Sequence, residues 1–258
     1  QRRALHLREE APLRGVVVPA VLAVGEHHGA AGETVLAAAA DALEALVRLG
    51  RAGCDPRSRT SRFLLRGQDA TAICGTVAAA AAAARLMGLD AQGAAHAIGI
   101  AVTMSAGSLE ANRSGGSVKQ FNSGRAAESA VAAASLAAAG VTGPPTALEG
   151  RYGFYQCFLD GDVDLDVLAG DLSNRWEIAD LRYKPYPCNY YTHAGVDAVL
   201  ALRERGLRAA DVTSLRLGVA LPMLHTMGEP AEVKQRPADG YAAKFSGPYT
   251  VASALLAG

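Results

Sequence analysis

The chain has 258 residues, half of them apolar, which gives room for one large domain or two smaller ones. Lys and Arg number 25 and Asp and Glu number 25, so the formal net charge is zero, which argues against nucleic acid as the main partner. Much of the apolar share is alanine, the best helix former and small enough to let helices approach closely, so a mostly helical body is predicted.

Residues 1–15 are charged and irregular, and the abrupt start reads as the interior of a longer protein. Residues 16–29 predict a buried helix led in by Pro19, with His27 and His28 as a solvated pair at its polar end. Residues 32–53 predict an amphipathic helix. Val35, Leu36, Leu43, Leu46, Val47 and Leu49 fall at helical spacing, and Gly50 and Gly53 stop it. Residues 54–69 are polar and Arg-rich and read as a loop. Thr71 is the predicted cap of a long helix through Met87, with Gly88 at its end. Asp90 opens the next helix, on whose small apolar face His96 reads as a satisfied core histidine.

The stretch Ser105 to Phe154 organises the rest. A Gly/Ser-rich loop carries Ser117 and Lys119, and a small-residue helix is predicted from Gly124 to Ala139. The helix dipole and end-of-helix N–H groups favour an anion there. A second glycine-flanked loop, residues 149–154, carries Arg151. Beyond Asp171 the composition changes. Residues 176–186 and 212–222 read as strands, 190–206 as a helix, and 241–258 as a helical pair broken at Gly247-Pro248. The result is an all-α unit, 1–174, followed by a smaller α+β unit, 175–258. The chain stops within a helical pattern, so both ends are expected to be incomplete.

Only four of the 25 basic residues are lysines: Lys119, Lys184, Lys234 and Lys244. An arginine bias explains the scarcity, but not why Lys119, Lys184 and Lys244 sit among Gly, Ser and Pro. Lysine shifts its pKa and takes part in proton transfer, which arginine rarely does. The four cysteines, Cys54, Cys74, Cys157 and Cys188, are far apart and form no C-x-x-C pair. That spacing predicts neither a zinc site nor a disulfide framework, and points to a reducing, cytoplasmic setting. The longest apolar run, Thr76 to Ala84, is too short and too alanine-rich to span a membrane.

Four segments together resemble the MmgE/PrpD family. GSVKQFNSGRAAESAVAAASLAAAGVTGPPTALEGRYGF is similar to its G-x-x-x-K … G-P … L-E-G-x-x-G-F block, and TAICGTVAAAAAAARLMGLDAQGAAHAIGIA to its Ala-rich helix pair. KPYPCNYYTHAGVDAVLAL resembles its K-P-Y-P-C … T-H-A signature, and RPADGYAAKFSGPYTVASAL its R-P … A-K-F-S-x-P-Y segment. The resemblance implies a mainly α fold, with a large helical bundle and a smaller α+β lid, in a homodimer. It implies cofactor-free and metal-free chemistry on small di- or tricarboxylates such as 2-methylcitrate or cis-aconitate, by proton transfer beside a carboxylate. Dehydration, decarboxylation and epimerisation are all within its range. Residue by residue it marks Lys119, Lys184, Tyr249, His193 and His6 as catalytic candidates, and Ser117, Gly124, Arg151 and Lys244 as substrate-binding ones.

The chain also departs from the pattern. The family's D-D-T-H falls on Arg3-Ala4-Leu5-His6, where only the histidine is kept. Its H-P-G falls near Ala11 to Gly15, with no histidine. Its F-H-P-T reads Gln68-Asp69-Ala70-Thr71. Losing such acid/base groups typically costs about 10²–10⁴-fold each. Two expectations result: a lyase or isomerase of small polycarboxylates, or a non-catalytic remnant that keeps the fold with a carboxylate-binding or oligomerising role.

Overall fold

The helix Ala70–Leu86 (α4) is buried nearly all round, and the first part of the fold is built on it. In the computed structural model, which describes residues 14–58, 60–172, 174–181 and 184–258, it packs against α1 (Arg14–His27), α2 (Gly32–Ala52) and α5 (Ala91–Met104). Ala78, Ala79, Ala80, Ala83 and Ala84 make its sides nearly smooth, so three helices approach at once without long side chains to interleave. Gly75 is the closest point. A Cβ there would lie 2.9 Å from a Val16 methyl of α1. Asp69, not Thr71, stands at the N-cap position of this helix, its side chain making no cap bond, whereas Asp90 caps α5, accepting the Gly93 N–H at 2.8 Å.

A short helix, α3 (Arg62–Leu65), interrupts the expected 54–69 loop. Its Phe63 joins Phe154 and Phe158 of α8 (Phe154–Leu159), with ring centroids 5.1–6.4 Å apart. Tyr155 is buried beside them and its hydroxyl donates to the Leu49 carbonyl at 3.0 Å. The glycines of the 149–154 loop are explained by this seat. A Cβ at Gly150 would lie 2.5 Å from the Thr146 carbonyl, and the Phe154 N–H bonds back to Ala147 at 2.7 Å.

The chain divides into two units, one running to Ser108 and resuming at Gln120, the other comprising Leu109–Lys119 and the residues after 183. Within the first, Glu44 and Arg48 of α2 form a buried ion pair at 2.6 Å. The Glu44 carboxylate also accepts the Glu177 and Ile178 N–H groups at 3.0 and 2.9 Å. Arg48 donates to the Gly170 and Arg175 carbonyls, both at 2.7 Å. The pair therefore stitches α9 (Leu165–Ala169) and the 3₁₀ turn Glu177–Asp180 onto α2.

That stitch corrects the first predicted strand. The N–H groups of Glu177 and Ile178 are committed to a side chain rather than a ladder, and Pro185 and Pro187 have none to give. The second predicted strand, 212–222, pairs with nothing among the described residues. Leu215 and Leu217 are exposed, and Pro222 opens a helix. Two isolated bridges, Cys54 with Ser61 and Gln68 with Ser108, are the described β pairings. The fold is mainly α: the described residues of the two predicted strands are irregular chain, a 3₁₀ turn and the start of α11, and the second unit is built from helices.

Those helices are α6 (Glu110–Ser114), α10 (His193–Glu204), α11 (Leu221–Met227), α12 (Ala231–Gln235), α13 (Gly240–Ala243) and α14 (Gly247–Ala257). Val199 on α10 and Val251 and Leu255 on α14 form a small core. Gly195 lets α10 pass close, since a Cβ there would meet Leu217 and Val251 side chains at 2.8 Å. Removing one partner of a buried ion pair strands the other. Arg48→Ala is therefore expected to lower the stability of the first unit by about 3–5 kcal/mol in urea unfolding, whereas a loss under about 1 kcal/mol would mean the stitch is dispensable.

Candidate active site

The second unit holds all four lysines and has more basic than acidic residues, while the first has the reverse, so the neutral total hides a division of charge. Lys184, His193, Lys244 and Tyr249 lie on two segments that the backbone joins. The Asn189 N–H donates to the Lys244 carbonyl at 2.8 Å. Asn189 also shapes the turn after it. Its side chain accepts the Tyr191 N–H at 2.9 Å and caps the 3₁₀ turn Tyr190–Thr192. Its carbonyl accepts the Thr192 hydroxyl at 2.8 Å. That turn delivers His193 as the first residue of α10.

His193 is buried, with the Tyr186 and Tyr190 rings at 5.3 and 5.1 Å between centroids. Its Nε2 lies 3.4 Å from the Cys188 carbonyl, an arrangement that puts the ring proton on Nε2 and leaves Nδ1 as an acceptor. Nδ1 is itself buried with no hydrogen-bond partner among the described residues. Tyr186 is anchored by donating its hydroxyl to Asp197 at 2.6 Å, which pushes its own pKa up. Burial lowers the His193 pKa from 6.5. Lys184 lowers it further, and the Cys188 carbonyl and Asp197 act in the opposite sense without cancelling the shift. At neutral pH this places a neutral imidazole beside a lysine, an acceptor poised next to a cation.

Lys244 ends α13, with its ammonium 5.8 Å from the Tyr241 ring. Tyr249 stands in the first turn of α14, about half exposed, and its N–H is accepted by the Ser246 hydroxyl at 3.0 Å. Lys119 is half-buried and Ser117 exposed, on the stretch that belongs to this unit. The helix expected from Gly124 starts five residues earlier: α7 runs Lys119–Ala138, so Lys119 is its first residue rather than a loop residue. Gly124 is exposed on its second turn, in the first unit. Arg151, also in the first unit, is exposed with its guanidinium 5.5 Å from the Tyr152 ring. His6 lies outside the described residues.

Asp69, where the resemblance expects a histidine, is buried in the first unit. It accepts from the Asn122 side chain at 3.0 Å, and its N–H donates to Gly107 at 3.1 Å. His27 and His28 are exposed at the end of α1, as expected of a solvated pair, and His96 is bonded through Nδ1 to the Gly143 carbonyl at 3.3 Å. Among the described residues no group of three His, Cys, Asp or Glu forms a metal-ligand set, and no helix is long and apolar enough to cross a membrane.

Sequence reasoning passed over Asn189, Ser246 and Lys234. Asn189 comes directly after the K-P-Y-P-C run, and Ser246 precedes Gly247-Pro248 at a cap position, so both carried a readable signal. Lys234 carried only its rarity.

Residues 3–166 match the MmgE/PrpD N-terminal domain and residues 186–258 the MmgE/PrpD C-terminal domain. The chain is 32% identical over 226 residues to cis-aconitate decarboxylase of Aspergillus terreus (strain NIH 2624 / FGSC A1156), covering 80% of this chain and 44% of that protein. It is 29% identical over 205 residues to cis-aconitate decarboxylase-like protein oryM of Aspergillus oryzae (75% and 42% covered). It is 28% identical over 193 residues to the Homo sapiens cis-aconitate decarboxylase (72% and 38%). The chain thus spans less than half the length of these relatives.

A His whose folded pKa is lowered is stabilised in its neutral form. The His193 contribution to stability is therefore complete above pH 6.5, falls as pH drops from there, and levels off below the folded pKa. A ring-nitrogen NMR titration is expected to place the His193 midpoint below 6.5; a midpoint above it would mean the carbonyl and Asp197 outweigh burial.

Proposed function

The chain belongs to the MmgE/PrpD family, and from that premise we propose that its second unit binds a small di- or tricarboxylate and supports lyase chemistry beside a carboxylate. The observation that carries this reading is the tie of Asn189 to Lys244, which puts Lys184, His193, Lys244 and Tyr249 on joined segments of one unit. Lysine ammonium groups suit carboxylates as point charges, and they stabilise the negative charge that spreads from the adjacent carbon into a carboxylate when a proton leaves. The half-exposed Tyr249 has a hydroxyl hydrogen to donate, and the neutral imidazole of His193 has a lone pair on its buried Nδ1, available to a group that enters its pocket. Lys119 and Ser117 supply further polar contacts on the same unit.

The names of the curated relatives favour cis-aconitate as the acid and decarboxylation as the reaction, with dehydration of 2-methylcitrate or epimerisation as the alternatives within the family. The proposal includes a cofactor-free reaction, a homodimer and a cytoplasmic setting. Exposed Leu22 on α1 and Leu36 on α2 (which the helical spacing had put in the core) support apolar association, and four free cysteines fit a reducing compartment. A second reading, a remnant that binds or oligomerises without turnover, is favoured by Asp69. The family's acid/base position is there occupied by a carboxylate already bonded to Asn122.

Thermal melting with cis-aconitate, 2-methylcitrate, citrate and a phosphate control tests the proposal. A ligand at about 100 times its Kd adds roughly 2.7 kcal/mol, a plain rise in Tm. The expected result is a rise with a polycarboxylate but not with phosphate, abolished in Lys119→Ala. No rise with any acid, in a chain that melts cooperatively, would overturn carboxylate binding. Binding without release of carbon dioxide or water would favour the second reading.

A further inference from the structure

We propose that Lys234 is a positioning residue that fastens the Leu109–Lys119 stretch, with Ser117 and Lys119, to the helix bearing Tyr249. Lys234 is 3% exposed, on the five-residue α12. Its ammonium donates to the main-chain carbonyl of Asn112 in α6, a residue also buried. Its own carbonyl accepts the hydroxyl of Ser246, which is completely buried. The Ser246 oxygen in turn accepts the Tyr249 N–H at 3.0 Å. One residue therefore grips α6 with its side chain and the cap of α14 with its backbone. The α11 helix also packs on α6.

Packing alone does not account for a lysine here. Burying an ammonium is unfavourable before any bond is made, and an apolar residue of similar length avoids that cost. The penalty shows in the amine itself, whose pKa burial pushes down from 10.5 to about 8. A carbonyl acceptor offsets part of it, and that carbonyl belongs to the stretch that leads to Ser117 and Lys119. Between Asn112 and Lys119 lie Gly115 and Gly116, with φ of 100° and 106°. Two consecutive glycines make a loose joint, free in conformations closed to other residues. Without the bond to Asn112, the packing of α6 on α11 is left to hold the segment that leads through this joint to Ser117, and a displacement of about 1 Å in a binding group costs up to about 10²-fold in function.

The functional consequence rests on the carboxylate reading; the fastening does not. Hydrogen exchange read by mass spectrometry on the whole chain separates them. Lys234→Met keeps the stem and loses the amine. It is expected to speed exchange in 109–119 by about tenfold or more while α10 stays protected, and to weaken cis-aconitate binding in calorimetry by a similar factor. Asn112→Ala leaves the main-chain acceptor in place and is expected to match the unaltered chain in both readouts. Unchanged exchange in 109–119 of Lys234→Met overturns the proposal, as does the same loosening in Asn112→Ala. Should Lys234→Met fail to fold, native-state exchange of the unaltered chain against denaturant decides: 109–119 opening together with α12 and α14 supports the fastening, and its opening at lower denaturant overturns it. Faster exchange in a chain that never bound a carboxylate would keep the fastening and remove the carboxylate reading.

Discussion

The first unit depends on how little side chain α4 has. A helix lined with alanine on every side has no preferred partner face, so α1, α2 and α5 all pack on it closely. Close approach brings dense dispersion contact, but alanines are interchangeable and specify register poorly. The few shape-defining contacts must therefore fix the arrangement: Gly75 against Val16, the Phe63, Phe154 and Phe158 cluster, and the Tyr155 hydroxyl on Leu49. The glycines of the 149–154 loop serve the same end by letting Phe154 and Tyr155 turn inward.

Buried and half-buried polar groups do the rest of the specifying, by one device used three times. Glu44 and Arg48 hold a segment with little regular structure through its main-chain N–H and carbonyl groups. Asn189 bonds to the Lys244 backbone and folds its own downstream turn. Lys234 reaches the Asn112 carbonyl. In each case a side chain or a lone backbone group takes the place of a sheet ladder. With almost no β pairing among the described residues, the main chain of the connecting segments is still satisfied this way.

The helices of the first unit were legible because their periodicity, caps and glycine stops act locally. Asp90 and the Gly88 stop are read within a few residues. The strands were misread for a physical reason. Alternation in residues 212–222 reports only which side chains are apolar, and a strand also needs a neighbour to pair with. In 176–186 the decisive group, Glu44, lies more than 130 residues away in sequence, beyond any local pattern. The start of α7 was placed late because Gly124 looked like a boundary. Helical hydrogen bonding starts at Lys119 and tolerates that glycine. The candidate site was legible where rare residue types met motif positions, as with Lys184, His193 and Tyr249. It was not legible where the role is carried by a main-chain atom, as at Asn112 and Lys244, since backbone groups are the same at every position.

The confinement of every lysine to one unit also has a practical side. Reagents that attack primary amines, such as activated esters and amine-directed cross-linkers, find no side-chain target anywhere in the alanine-rich bundle. Apart from an α-amine, they label the second unit alone and leave the bundle chemically unmarked.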